Sequence, residues 1–279
     1  MGGLGNQLFQ IFATISYAMD MKSRIAFEEK ELLHVGTSAT VRPTYWNNFL
    51  ARLKLMLVKS LPPFDGGLIR EEAHHYTPLP THVDVNKNYI LHGYFQSYKY
   101  FEAKKDMLFR LIDLEGKKQV IKDRHTNVDF PNTCSMHFRL GDYQRYQQYH
   151  PVMPKAYYFD ALRRVVTNKS ISTVLYFCEN EDHETVLKTI NSLKFDRDFQ
   201  HLTFVRCDET LADWEQMLLM SLCHSNIIAN SSFSWWGAYF NNTADKIVTY
   251  PSVWFGRGLA GHDTKDLCPP EWVKISVRV

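Results

Sequence analysis

The chain has 279 residues, 45% of them hydrophobic and 22% charged, and 32 Lys and Arg against 30 Asp and Glu leave a formal net charge of +2. That length suits one large domain or two of ordinary size, and the composition is that of a globular protein. The small net charge gives no reason to expect nucleic-acid binding, no run approaches the roughly eighteen apolar residues of a membrane span, and no secretory signal pattern is visible, so the protein reads as cytoplasmic. The five cysteines (Cys134, Cys178, Cys207, Cys223 and Cys268) are widely spaced and contain no Cys-x-x-Cys pair. They read as small core residues, not as a disulfide scaffold or a zinc site.

Gly2, Gly3 and Gly5 stand just before a helix over 6–20, whose Leu8, Phe9, Phe12, Ile15 and Met19 recur at helical spacing. Glycines at that position let backbone N–H groups approach an anion at the positive helix end; the plainer reading is a tight turn. Arg24 to Phe27 reads as a short strand. Residues 44–60 suggest an amphipathic helix carrying Arg52, Lys54 and Lys59. Its plainer reading is a packed surface helix with a solvated basic side, and its alternative is weak peripheral contact with an anionic membrane. Leu61-Pro62-Pro63 and Thr77 to Pro80 punctuate loops. Tyr89 to Gly93 reads as a strand, Phe101 to Leu114 as a helix and Cys134 to Arg139 as a strand. Pro151 to Pro154 marks a hinge between two halves. Beyond it come helix 155–166, strand 173–178, helix 181–193, strand 202–206, helix 210–223, strand 226–229, helix 235–241 and strand 246–250. Such alternation implies a parallel, doubly wound sheet.

Met136-His137-Phe138-Arg139-Leu140-Gly141-Asp142 is the most informative stretch. Residues two apart on a strand share a face, so His137 and Arg139 aim together. Gly141 permits an abrupt stop, and Asp142 can bond the backbone of the turn. The result is a cationic fork suited to a diphosphate or carboxylate; the plainer reading is a strand with two polar residues facing solvent. Asn230-Ser231-Ser232-Phe233-Ser234-Trp235-Trp236-Gly237-Ala238 follows the short apolar strand Ile227 to Ala229. Its hydroxyls, and N–H groups at a helix start, can hold a diphosphate without a metal. Ser234 as an N-cap is the plainer reading, and Trp235 and Trp236 read as core. His74-His75, Asp182-His183-Glu184 and Asp208-Glu209 read as solvated loop charge, so no metal site is expected.

Taken in order, Gly2-Gly3-Leu4-Gly5-Asn6-Gln7-Leu8-Phe9-Gln10, the His137 to Asp142 stretch and Asn230 to Ala238 resemble the signatures of the α-1,2-fucosyltransferases, glycosyltransferase family 11. Gly93 to Ser97, Leu219 to Ser221 and Tyr250 to Phe255 are weaker family-like stretches. The resemblance implies a GT-B-like α/β fold of two Rossmann-like halves facing across a cleft, with an acceptor-side half at 1–150 and a GDP-fucose-binding half at 151–279. It implies inverting transfer of L-fucose from GDP-β-L-fucose to the 2-hydroxyl of a terminal galactose or similar sugar on a glycan, with no cofactor. Arg139 would meet the charge growing on the leaving diphosphate, and His137 would donate to phosphate or guanine. Asp142 is either a general base or a carboxylate that orients Arg139. Gly5, Asn6 and Gln7 would line the cleft near the sugar, Asn230, Ser231, Ser232, Phe233 and Ser234 would hold the donor, and Glu209 or Glu215 would accept guanine hydrogens.

Two departures stand out. The resemblance implies a short apolar strand ahead of the glycine turn, where this sequence has Met1; without it the turn that aims Asn6 would loosen. Phe177-Cys178-Glu179-Asn180 departs from a more serine- and aspartate-rich stretch. The competing readings are a related transferase with another sugar nucleotide or linkage, and a catalytically silent carbohydrate- or nucleotide-binding protein.

Overall fold

The structure, a computed structural model, describes residues 2–33 and 41–277; Met1, where the strand ahead of the glycine turn would lie, is outside them. Two compact units emerge. The first runs to Glu115 and includes His262–Pro269; the second comprises Gly116–Gly261 and the chain from Pro270 on.

The first unit opens with α1 (Leu4–Asp20), which buries Leu4, Leu8, Phe9, Ile11, Phe12 and Ile15 on one stripe, while Met19 of the expected stripe is exposed. Lys22 leaves the helix at φ 51°, a left-handed stop. The strands β1 (Phe27–Glu28), β2 (Leu32–Leu33), β3 (Arg42–Pro43), β4 (Leu57–Val58), β5 (Gly67–Arg70) and β6 (Tyr89–His92) join in pairs, β1 with β4 and β5 with β6 parallel, β2 with β3 antiparallel. Helix α2 (Lys105–Leu111) follows.

The amphipathic helix expected over 44–60 does not form. Turns lead into a 3-10 segment, Ala51–Met56, and then directly into β4. The apolar positions are buried as the spacing suggests, with Phe49, Leu50 and Leu53 nearly inaccessible. Asn48, however, takes the Phe49 N–H on its side-chain oxygen at 2.7 Å, a local bond that competes with helix propagation. Arg52 pairs with Asp113 at 3.0 Å. There is thus no continuous basic helix to lie on a membrane surface.

The second unit holds β7 (Thr133–His137), α4 (Lys155–Val166), β8 (Thr173–Phe177), α5 (His183–Phe195), β9 (Thr203–Arg206), α6 (Asp213–Leu222), β10 (Ser225–Ile227), α7 (Ser232–Tyr239), β11 (Val248–Pro251) and β12 (Val273–Ile275), with α3 (Leu114–Arg124) crossing the boundary. Its six strands form one parallel sheet in the order β12-β11-β10-β7-β8-β9. Every element expected after Pro154 is present within a few residues; β12 was not foreseen. The division between units falls inside α3, not at the Pro151–Pro154 hinge, because β7 is hydrogen-bonded to β8 on one side and β10 on the other. Helix α3 escapes a hydrophobicity reading because a lysine occupies an inner position. Lys118 is buried, its Nζ donating to the Phe240 carbonyl and to Asn242 Oδ1, both at 3.1 Å.

Buried polar side chains lock the middle of this sheet. Asn226 in β10 donates to Ser135 Oγ of β7 at 2.7 Å and to the Met220 carbonyl of α6 at 2.8 Å, and accepts from Asn241 Nδ2 at 2.8 Å. Each group is satisfied by the others, so removing one orphans several. Asn226→Ala should lower unfolding free energy by about 2–4 kcal/mol, read as a lower denaturant midpoint with an unchanged slope; a loss under about 1 kcal/mol would show that the network is dispensable.

Candidate active site

Read outward from β7, chain order steps one way to β8 and β9, then returns to the other side for β10, β11 and β12. The reversal lies between β7 and β10. In open parallel sheets, the crevice beyond the carboxyl ends of the strands at such a reversal is where ligands sit. Two of the three sequence motifs converge there, since His137 ends β7 and Asn230 to Ser234 follow β10.

The strand stops at His137, so Arg139 lies beyond it. Phe138 turns into the core and stacks on Tyr158, ring centroids 4.1 Å apart. His137 is 8% exposed, its ring 5.6 Å from that of Phe233, and its Nδ1 has no hydrogen-bond partner. Burial first, and the charge of Arg139 second, push its pKa down to about 3. The expected pair of cations is therefore a single cation beside a neutral imidazole.

Arg139 supplies the charge. Its side chain is 17% exposed, with Nη1 bonded to Glu179 and Nη2 to Asp142. Burial opposes the guanidinium charge, and the Glu179 and Asp142 carboxylates more than offset it, leaving the pKa raised. The Tyr143 ring lies 5.0 Å from the guanidinium carbon, and its hydroxyl donates to the Asn230 carbonyl at 3.3 Å. Asp142 is thus hydrogen-bonded and ion-paired to Arg139. Gly141 has φ +41°, and a Cβ there would come within 2.6 Å of Glu179 Oε2, so both backbone and space call for glycine.

On the other side of the crevice, Asn230 is buried. Its Nδ2 donates to the carbonyls of Pro151 at 2.9 Å and Trp254 at 3.1 Å, while Oδ1 has no partner. The N-cap of α7 is Ser231, not Ser234, because the helix begins at Ser232; Ser231 Oγ accepts the Phe233 N–H at 3.3 Å. The Ser234 hydroxyl turns back to the Ser231 carbonyl at 3.4 Å. Ser232 and Phe233 remain partly accessible. Trp235 and Trp236 are fully buried core residues.

The two guanine candidates have other work. Glu215 accepts the Ala212 N–H at 3.1 Å, capping α6, and pairs with Arg124 at 2.9 Å. Glu209 pairs with Arg206 at 2.8 Å. Asp196-Arg197-Asp198 has the Asp-x-Asp spacing of metal-dependent transferases. It lies before the edge strand β9, at the amino end of that strand, and Arg163 holds Asp198 at 3.0 Å and Asp196 at 3.9 Å. Among the described residues no three His, Cys, Asp or Glu side chains gather as metal ligands.

The third motif belongs to the first unit. Gly2 sits at φ +81°, and a Cβ there would meet Asn6 Nδ2 at 2.5 Å. Asn6 Oδ1 accepts from Gln96 Nε2 at 2.8 Å, so Asn6 is held, not loose. Gly5 is buried in α1. Gln7 is buried as well and donates to the carbonyls of Gly2 at 3.0 Å and Pro43 at 2.8 Å. Its amide nitrogen is committed to holding the turn.

Against known proteins, the model of glycosyl transferase family 11 matches residues 65–276. The chain belongs to glycosyl transferase family 11. Two relatives from Escherichia coli align over nearly the whole chain. The O-antigen biosynthesis glycosyltransferase WbnK is 28% identical, covering 98% of this chain and 98% of its own. An alpha-1,2-colitosyltransferase is 26% identical, covering 98% of this chain and 96% of its own. Among solved structures, a mutant of Arabidopsis thaliana FUT1 in complex with GDP overlaps 89% of this chain and 68% of that one, at 11% identity and a TM-score of 0.44. The Met136–Asp142 and Asn230–Ala238 motifs lie inside the family match, and the Gly2–Gln10 turn lies outside it.

Tyr143 and Glu179 stand against Arg139 without belonging to any motif's expected contacts, and Asp182, which reads as loop charge in the sequence, is buried. An aromatic four residues after Arg139 is a usable signal for cation–π contact. Nothing local signals Glu179, which is 40 positions away from Arg139.

The His137 environment carries a pH signature. An unfolded histidine titrates near about 6.5. Between there and about 3 the unfolded chain binds a proton that folded His137 refuses, so stability present above that window is lost as pH falls through it. His137→Gln should therefore lose less denaturant resistance than the parent between pH 7 and pH 4. Equal losses would show that the imidazole is not held neutral.

Proposed function

We propose that this family 11 glycosyltransferase is an inverting α-1,2-fucosyltransferase that moves L-fucose from GDP-β-L-fucose to the 2-hydroxyl of a galactose-terminated glycan. The observation that carries the reading is the meeting of the Arg139 stretch and the Asn230–Phe233 stretch at the strand reversal, in a chain of this family. In the reaction the acceptor oxygen bonds to the sugar C1 from the face opposite the nucleotide. The C1–O bond to the β-phosphate breaks with its electron pair going to GDP, and the hydroxyl proton leaves. Arg139 would stabilise the developing phosphate charge, and neutral His137, with its open Nδ1, would donate or accept one hydrogen bond to the donor. Ser231, Ser232 and the first N–H groups of α7 suit a diphosphate, and Phe233 offers a ring beside it.

The similarity to an alpha-1,2-colitosyltransferase, 26% identical over 98% of the chain, favours a second reading, transfer of colitose by the same chemistry. Donor competition separates the two: GDP-fucose and the colitose donor are offered together with a panel of galactose-terminated glycans, and product linkage is read by NMR. No turnover of either, with retained nucleotide binding, would leave a silent binding protein.

Under this reading, Arg139→Ala should reduce transfer by at least about a hundredfold while the fold survives. Arg139→Lys should recover little, since a point charge cannot bridge two carboxylates and a phosphate as a planar fork does. Near-normal transfer by folded Arg139→Ala would sink the assignment. Activity should persist in EDTA, and complete loss restored by manganese or magnesium would mean that a cation shares the phosphate site.

The two units should divide the work. Ser232→Ala and Phe233→Ala should weaken GDP binding in calorimetry, while Asn6→Ala should leave GDP affinity nearly intact and lower turnover, as for a contact made chiefly in the transition state. Loss of GDP binding in Asn6→Ala with normal binding in Ser232→Ala would reverse the assignment.

A further inference from the structure

Asp182 is an anomaly. It is only 3% exposed, yet no cation lies within ion-pair distance of it among the described residues. It occupies the N-cap position of α5, where an aspartate ordinarily bonds the N–H groups of its own helix, and its side chain makes no such bond. Both oxygens face the loop after β7 instead. Oδ2 accepts the Gly141 N–H at 2.7 Å, and Oδ1 accepts from Gln144 Nε2 at 3.0 Å. Burying a carboxylate is costly unless its oxygens are bonded, and both bonds made here go to the loop that carries the neighbours of Arg139.

The 3-10 turn Gly141–Arg145 that Asp182 grips carries the residues that surround Arg139. Asp142 bonds Nη2, and Tyr143 lies under the guanidinium. Leu140, one residue before the turn, has the unusual pair φ −113°, ψ −88°, so the backbone leaves β7 sharply, and its carbonyl accepts the Tyr143 N–H at 2.8 Å as the turn begins. Asp182 adds a side-chain hold on Gly141 and Gln144 from the next strand-to-helix connection. Glu179, three residues earlier in that connection, takes the other arm of the guanidinium. One connection, from β8 to α5, therefore fixes Arg139 both directly and through the turn.

We infer that Asp182 is a positioning residue for the transfer reaction, acting through the Gly141–Tyr143 turn to hold the Arg139 guanidinium in the orientation that meets the leaving diphosphate. This deepens the fucosyl-transfer reading and rests on it for its catalytic part. The positioning itself is a property of the donor-free protein. Asn at 182 can keep both hydrogen bonds, because the Gln144 amide can flip to present its oxygen; Ala can keep neither.

The test has one arm without ligand and one with it. In the donor-free protein, the Arg139 Nε–H resonance is identified by its disappearance in Arg139→Ala. It should broaden or vanish in Asp182→Ala, persist in Asp182→Asn, and weaken in Gln144→Ala, which removes one bond at an exposed position and keeps the question answerable should Asp182→Ala not fold. An unchanged Arg139 resonance in both Asp182→Ala and Gln144→Ala overturns the inference. In the second arm, donor turnover should fall about tenfold to a hundredfold in Asp182→Ala, the range for a displaced catalytic group, with recovery in Asp182→Asn. The same substitution should cost nothing further on top of Arg139→Ala. Additive losses would mean a general structural role and would also overturn it. A parent protein that neither binds GDP nor transfers fucose would refute the functional reading alone, while the resonance experiment would still decide the positioning.

Discussion

The rest of the molecule depends on the reversal of strand order at β7. Because all six strands run parallel, each connection must return across the sheet, and the strands that follow β7 and β10 in the chain, β8 and β11, lie on opposite sides of that pair. A reversal of this kind leaves room for a ligand beyond the carboxyl ends of the two adjacent strands. That opening is a consequence of topology and would exist whatever residues lined it. It is kept in register by Asn226, which ties β10 to Ser135 of β7 and to the end of α6, and so fixes the distance between the His137 and Asn230 sides of the crevice.

Within the crevice the electrostatics are lopsided. One guanidinium, Arg139, stands among the carboxylates of Asp142, Glu179 and Asp182, and His137 is neutral. Both arms of Arg139 are held by acids, Nη1 by Glu179 and Nη2 by Asp142. Tyr143 serves both sides of the crevice, its ring against Arg139 and its hydroxyl on the Asn230 carbonyl.

The glycine turn of the first unit is built on a different principle. Gly2, Asn6, Gln7 and Gln96 form a local hydrogen-bonded knot, in which Gln7 closes the turn on itself and Gln96 holds the Asn6 oxygen. Two family-like stretches 90 residues apart, Gly2–Gln10 and Gly93–Ser97, thus meet through one amide pair.

What the sequence by itself determined is what depends on neighbours along the chain. Periodicity located α1, α4 and the alternating strands and helices after Pro154, and the three motifs led to the family, because repeating apolar spacing and short-range turn chemistry are local. Local signals misled where a local competitor was overlooked, as when Asn48 diverted the chain from a helix after Tyr45, or where a charged residue took an inner position, as Lys118 does in α3. Only the tertiary structure decided which charges survive and what they touch. It made His137 neutral by burying it, turned Asp182 from apparent loop charge into an internal clamp, and brought Glu179 onto Arg139 across a strand pair. Desolvation and ion pairing are set by the groups that arrive from other strands, and their partners lie tens of residues away, beyond the reach of any pattern in the chain.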